Sequence, residues 1–192
     1  MEIKNILNEM NFDNRIELSE MPELDLYMDQ VIQLFENELS ALKRNDEEKI
    51  LTKTMINNYA KGKLLLPIKN KKYSKEHLIM MSFIYNLKGA LSINDIKSSL
   101  EEIVEDYTDE KSSDLRNLYS YYLDESKEDA AEFKESIRKK VEKIQENKLT
   151  STNIDSDYEK KFLLLCSLVN MSNMYRRASE KIIDEFFSDS KE

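Results

Sequence analysis

Residues 51–78 read LTKTMINNYAKGKLLLPIKNKKYSKEHL, a polar helix-sized segment followed by a lysine-rich turn region. Thr52 can cap a short helix that runs to about Lys61, because its hydroxyl can accept a hydrogen bond from a backbone N–H of the first turn. Gly62 stands where a helix commonly ends on a left-handed residue. The segment from Leu64 to Tyr73 contains a proline and is too irregular for a helix, so we expect a small two-stranded ribbon or wing there.

Further helices are predicted on both sides of this stretch. Apolar residues recur at three-to-four spacing from Asp25 onward, which indicates an amphipathic helix before it. After the wing, Ser74 can cap a helix that reaches about Lys88. Ser92 and Asp95 then have the spacing of a capping box, which predicts the start of a fourth helix.

The part of the chain after Thr108 is also predicted to be helical. We expect three helices: one at 113–123, one from a capping box at Ser126 to about residue 147, and one from about 156 to 187. The last helix is apolar nearly all round between residues 162 and 171. Such a helix needs cover on every side, so it is predicted to lie centrally in a bundle or in a subunit interface.

The composition also favours helices over sheets. The chain has 192 residues with only 2 Gly and 2 Pro, and charged residues make up 35 % of it. Sheet-rich folds need more turn residues than this, whereas solvated amphipathic helices are rich in charge. We therefore predict an all-α protein, mainly α with a small β wing. It is divided into an N-terminal arm (1–24), a helix–wing domain (25–107) and a helical C-terminal bundle (108–192).

The lysines are distributed unevenly along the chain. The net charge is −9, yet the window from Lys49 to Lys75 holds eight lysines and no Asp or Glu. A lysine cluster is often no more than a solvated surface, but an acid-free window of this length in an acidic protein indicates a polarised one. Lysine binds phosphate as a point charge, and asparagine can pair with adenine in the major groove. The window therefore predicts contact with nucleic acid.

Ten residues of this window are the candidate DNA-contacting residues. Three of them, Lys53, Asn57 and Lys61, are four apart and share one helical face. Lysines from the wing can reach the flanking phosphates, which positions the protein on the duplex. The full set is Lys53, Thr54, Asn57, Asn58, Lys61, Lys63, Lys69, Lys71, Lys72 and Lys75.

The order of these elements resembles a known DNA-binding architecture. The segment Met55–Leu64 (MINNYAKGKL) resembles the recognition helix and exit of the MerR-type winged helix-turn-helix, and Lys71–Leu78 (KKYSKEHL) resembles the end of its wing. The resemblance implies a winged helix-turn-helix in residues 25–107 and a transcription regulator. Asp25–Val31 (DLYMDQV) and Leu51–Tyr59 (LTKTMINNY) are also similar to an uncharacterised bacterial family, the domain of unknown function numbered 1836, which implies no activity.

Signals of catalysis and metal binding are missing from the sequence. His77 is the only histidine, and its place in the first turn of a helix predicts a surface or capping role. Cys166 is the only cysteine and lies in an apolar run, so a buried structural thiol is expected. The two glycines are isolated, so the sequence holds no Gly-rich phosphate loop. We therefore predict a protein that is not an enzyme and that uses no cofactor and no metal.

The expected compartment and partners follow from the same features. Residues 1–14 are too polar for a signal peptide, and the apolar run at 162–169 is far shorter than the ~20 residues of a membrane span. With a single cysteine, a soluble, cytoplasmic protein is expected. The leading hypothesis is a regulator that binds double-stranded DNA and forms a homodimer through its C-terminal helices. The alternative is a non-enzymatic protein-interaction adaptor that uses its basic face for an acidic partner.

Overall fold

The computed structural model describes residues 10–105, 107, 112–146 and 156–187, and these contain six α-helices and one two-stranded sheet. The predicted class, mainly α with a small β wing, is confirmed. In chain order the elements are β1 (Leu26–Tyr27), α1 (Met28–Leu39), a 3₁₀ turn (Ser40–Leu42), α2 (Lys53–Lys61), β2 (Lys72–Tyr73), α3 (Lys75–Leu87), α4 (Ile93–Glu105), α5 (Ser112–Gln145) and α6 (Asp157–Phe186).

Side-chain caps define the starts of α2 and α4. The hydroxyl of Thr52 accepts a hydrogen bond of 3.2 Å from the N–H of Met55, as predicted. Ser92 and Asp95 form the predicted capping box, in which each side chain accepts from the other residue's N–H, at 3.2 Å and 3.1 Å. These bonds satisfy N–H groups that have no partner within the helix, so each start lies close to its predicted position.

The small sheet joins two segments that lie far apart in the sequence. Leu26 pairs with Tyr73 and Tyr27 with Lys72, in antiparallel register. The helix predicted from Asp25 therefore begins only at Met28, because the two residues before it are in strand β1. The wing expected between residues 64 and 73 thus has β1 as its partner strand.

The left-handed residue at the end of α2 is Lys63 and not Gly62. Gly62 has a φ of −74° and Lys63 a φ of 60°. The N–H of Leu64 donates to the carbonyl of Tyr59 at 3.0 Å. The N–H of Lys63 donates to the carbonyl of Ala60 at 3.2 Å, which completes a Schellman motif. Gly62 is needed for close approach, because a Cβ there would lie 2.6 Å from Cδ1 of buried Leu64.

The helices and the sheet form two compact units, of which the first contains the wing. Among the described residues it comprises 14–105, 107, 112–124 and 180–187. Its core joins Phe35 of α1, Ile56 of α2, Leu78 of α3 and Tyr119 of α5. Ile16, which lies in the predicted arm, is buried in the same core. Residues 1–9 of that arm lie outside the described residues.

The second unit comprises residues 10–13, 125–146 and 156–179 of the described part. Its small core includes Ile137, Val141 and Leu164. Helix α5 continues through Ser126, so the predicted capping box there is wrong and two predicted helices are one. The reason is that strong helix formers surround Ser126 and no Gly or Pro interrupts them. None of the helices in the described ranges has both the length and the apolar composition for a membrane crossing.

Substitutions at the end of α2 should change stability in opposite directions. Lys63→Gly removes the strain of a left-handed residue that carries a side chain, so the free energy of unfolding should rise by about 1 kcal/mol. Gly62→Ala displaces Leu64 and should lower it by about 1–3 kcal/mol. Urea unfolding followed by circular dichroism measures both changes. A Gly62→Ala protein as stable as the parent would contradict the close approach of Leu64.

Candidate nucleic-acid interface

Helix α2 is anchored in the core by two buried residues, and two half-buried ones, Met55 and Ala60, pack beside them. Ile56 and Tyr59 are its buried residues. Lys63, just past the helix end, is exposed. The exposed candidate residues on the helix itself are Lys53, Thr54, Asn57, Asn58 and Lys61.

The wing contains a tight turn at Lys69–Lys72. Its central residues, Asn70 and Lys71, have φ values of 54° and 58°. The N–H of Lys72 donates to the carbonyl of Lys69 at 3.0 Å. Two left-handed central residues are the feature of a type I′ turn, which suits Asn70 and strains Lys71. Lys69 and Lys71 are exposed and Lys72 is half-buried, so this wing turn carries three lysines within four residues.

The segment Tyr27–Asp29 contacts both the wing turn and α2. The ammonium of Lys72 lies 5.2 Å from the centre of the Tyr27 ring, a cation–π contact. Asp29 follows Tyr27 by two residues, and its Oδ1 lies 2.8 Å from Lys53 Nζ. The side chains of Lys53 and Asp29 are 64 % and 75 % exposed, so this ion pair lies in solvent. The start of α2 and the wing turn therefore both contact one short segment. The sequence pattern did not indicate Tyr27 or Asp29, because their role depends on strand β1.

Lys75 is set apart from the other candidate lysines by burial. Only 8 % of the residue is exposed, and its Nζ lies 2.7 Å from Glu23 Oε1. The hydrogen bond from Lys75, together with the charge of Arg116, holds the pKa of Glu23 below its usual range. A buried lysine that is paired in this way is not available to a phosphate. Lys75 is therefore not part of the exposed basic surface.

Arg116 of α5 belongs to the same group of charges. Its Nη2 lies 2.6 Å from Glu76 Oε1 and its Nη1 lies 3.1 Å from Glu23 Oε2. Burial alone raises the pKa of Glu76, but hydrogen bonds, above all from Arg116, outweigh it and hold that pKa below its usual range. Glu76 is thus a buried carboxylate that stays ionised beside Arg116. Local sequence patterns do not indicate this pair, because 40 positions separate its members.

His77 caps α3 and binds the base of the wing to it. The N–H of Ser74 donates to His77 Nδ1 at 3.1 Å, and Nε2 donates to the carbonyl of Leu66 at 3.2 Å. The ring is buried, so of the two predicted roles the structure has the capping one. Burial lowers the pKa of His77, although the Leu66 carbonyl and the carboxylates of Glu76 and Asp25 act against this. The imidazole is therefore neutral at neutral pH, with its proton assigned to Nε2.

The predicted buried thiol is at the surface. Cys166 on α6 is exposed, so that prediction is wrong. Among the described residues, the apolar run around it is covered on one side, by the core that includes Leu164. Within the described ranges, no group of three or more His, Cys, Asp or Glu side chains is placed to hold a metal ion.

The family model for a domain of unknown function, DUF1836, matches residues 16–122, which is more than half of the chain. The chain belongs to the DUF1836 family. The DUF1836 segment lies within residues 14–124 of the first compact unit, so it includes Ile16 as well as the first turns of α5. Neither a curated protein nor a solved structure matches the chain.

The capping role of His77 predicts how stability depends on pH. Its pKa is lowered in the folded protein, so the unfolded chain takes up a proton first as the pH falls. The contribution of His77 to the free energy of unfolding should be full above about pH 6.5. Below that pH it should decrease, until the pH reaches the lowered pKa of the folded state. His77→Gln keeps an N3 cap acceptor without titrating and should remove this decrease. Urea midpoints between pH 7.5 and 5.5 measure the difference, and equal pH dependence in both proteins would contradict it.

Proposed function

We propose that the DUF1836 segment of this chain binds double-stranded DNA, as a MerR-like winged helix-turn-helix regulator that acts in the cytoplasm. The observation that carries the proposal is the contact of both α2 and the wing turn with Tyr27–Asp29. Two elements that carry exposed lysines therefore lie next to the same three-residue segment. No Asp or Glu occurs between residues 49 and 75, so these elements add no negative charge of their own.

The side chains of this surface have the chemistry that DNA binding needs. Lys53, Lys61 and Lys71 carry charges that can neutralise phosphates and position the protein. Asn57 and Asn58 are exposed on α2 between the lysines, and a carboxamide can pair with the N6 and N7 edge of adenine. Helix α2 can thus combine positioning and base reading, while the wing turn adds sequence-independent affinity.

The order of elements also supports the MerR-like reading. A strand is followed by two helices, the wing and a third helix, and α2 is the helix that directly precedes the wing. The connection between α1 and α2 is long. It consists of the 3₁₀ turn that follows α1 and then residues 43–52. A DNA complex of this chain would therefore accommodate a larger loop beside α2 than a tight helix-turn-helix has.

The C-terminal helices are proposed to form a homodimer. Four apolar residues of α6 lie on one face at spacings of four, three and four, which is the seam pattern of a coiled coil. All four are exposed in the single chain, and we call them the α6 stripe: Tyr158, Phe162, Leu165 and Val169. A symmetric dimer covers such a stripe with its own copy and presents two α2 helices to a two-fold site.

DNA binding by the 192-residue chain should depend steeply on salt. Neutralising about four to six phosphates gives a slope of roughly −4 to −5 for log K against log salt. Lys71→Gly removes one charge and relieves the strain of the type I′ turn, so it should flatten the slope by about 1 without loss of stability. Asp29→Asn frees Lys53 from its ion pair and should strengthen binding at low salt. Fluorescence anisotropy with a labelled duplex measures these effects.

Lys97→Ala is the matched control, since Lys97 is an exposed lysine of α4 outside the proposed surface. It should change the slope far less than Lys71→Gly does. Equal effects of the two substitutions would show that only net charge matters. Absence of binding to any duplex at 50 mM salt, with binding to an acidic polypeptide such as polyglutamate retained, would favour the adaptor instead.

The homodimer is tested by sedimentation equilibrium at micromolar concentration. The 192-residue chain should have about twice its single-chain mass of 22.7 kDa. Phe162→Glu places a charge in the α6 stripe and should give the monomer mass. Asn170→Glu is the control, because Asn170 is exposed and lies about 100° around the helix from Val169. A parent protein that stays at 22.7 kDa on concentration would rule out the dimer.

A further inference from the structure

The ion pair of Asp29 and Lys53 lies where two helices begin. Lys53 is the first residue of α2, and Asp29 lies in the first turn of α1. Both side chains are mostly exposed, and an exposed ion pair contributes little to stability. The ammonium has three donors and the carboxylate several acceptor sites, of which their mutual contact takes one each. The pair is therefore not needed for the fold, and both groups can still bind a ligand.

The major-groove edge of a G·C base pair has the complementary chemistry. Cytosine presents its N4 donor there, and guanine presents the acceptors O6 and N7. Because N4 and O6 are hydrogen-bonded to each other, they lie about 2.9 Å apart. Asp29 Oδ1 and Lys53 Nζ are 2.8 Å apart. The carboxylate can thus accept from N4 while the ammonium beside it donates to O6 and N7.

An A·T base pair fits the same two side chains less well. The N6 donor of adenine lies between two acceptors, adenine N7 and thymine O4. A carboxylate on N6 would be repelled by both acceptors, and the single ammonium of Lys53 can cover only one of them. In a G·C pair, by contrast, N4 borders one acceptor, O6, which Lys53 covers. The pair of side chains therefore discriminates between the two base pairs.

We propose that Asp29 and Lys53 together read one G·C base pair in the major groove. This inference rests on the proposed function. In helix-turn-helix complexes the N-terminal residues of the recognition helix contact base edges, and Lys53 has that position in α2. Asp29 repels phosphates and so lowers the affinity for DNA of any sequence, but it selects a base pair that offers an N4 donor.

The position of Asn57 extends the predicted site. Asn57 is exposed on the same face of α2, one turn after Lys53 and about 6 Å further along the helix axis. Successive base pairs are about 3.4 Å apart. An adenine that pairs with the Asn57 carboxamide should therefore lie one or two steps from the G·C pair.

Selection from a pool of randomised duplexes by the 192-residue chain tests the proposal. The parent protein should enrich G·C at one position by about tenfold over A·T. Asp29→Asn should lose this preference, because a carboxamide can also donate to N7 and so accepts adenine. The same variant should bind random duplexes more tightly at low salt.

Lys61→Ala is the matched control, because Lys61 is an exposed lysine at the other end of α2. It should weaken binding to all duplexes and keep the G·C enrichment, and circular dichroism should show the parent's helix content in both variants. DNA binding without a G·C position, or with the same enrichment in the parent and in Asp29→Asn, would overturn the reading pair and leave the proposed function standing. Absence of binding to every duplex at low salt would overturn the proposed function and the reading pair together.

Discussion

The hydroxyl of Tyr119 on α5 donates a hydrogen bond of 2.8 Å to the carbonyl of Ile16, and the DUF1836 segment is built around this contact. The ring is fully buried and stands edge-on to Phe83 of α3, with 5.4 Å between ring centres. A buried polar group that loses its partner costs about 1–3 kcal/mol, so the contact strongly favours one arrangement. Burial also raises the pKa of Tyr119, which keeps the hydroxyl a donor. The residues before β1, helices α1 to α3 and the first turns of α5 therefore share one core.

Whether a charged side chain needs a partner depends on its distance from this core. Lys75 and Arg116 approach it and are paired with Glu23 and Glu76, since a buried ion without a partner is costly. The other lysines of the window remain at the surface, where pairing contributes little to stability. An acid-free window in the sequence is nevertheless not an acid-free surface, because Asp29 reaches Lys53 from a different element.

Structural features that depend on residues close together in the chain could be predicted from the sequence. The side-chain cap of α2 at Thr52 and the exposure of Asn57 follow from spacing and capping rules alone. The features that prediction missed depend on distant partners. Strand β1 exists only because residues 72–73 lie beside it. The burial of Lys75 depends on Glu23, more than 50 positions away. Cys166 is exposed because the second unit has too small a core to cover all sides of α6.

Helices α1 to α3 and the first turns of α5 fold as one unit around Tyr119. Thermal unfolding of two fragments, residues 14–124 and residues 14–110, would show whether they do. The longer fragment retains Arg116 and Tyr119 and should unfold in one cooperative transition. The shorter fragment lacks both contacts and should show no such transition, or one at a much lower temperature. Cooperative unfolding of both fragments at the same temperature would contradict the account.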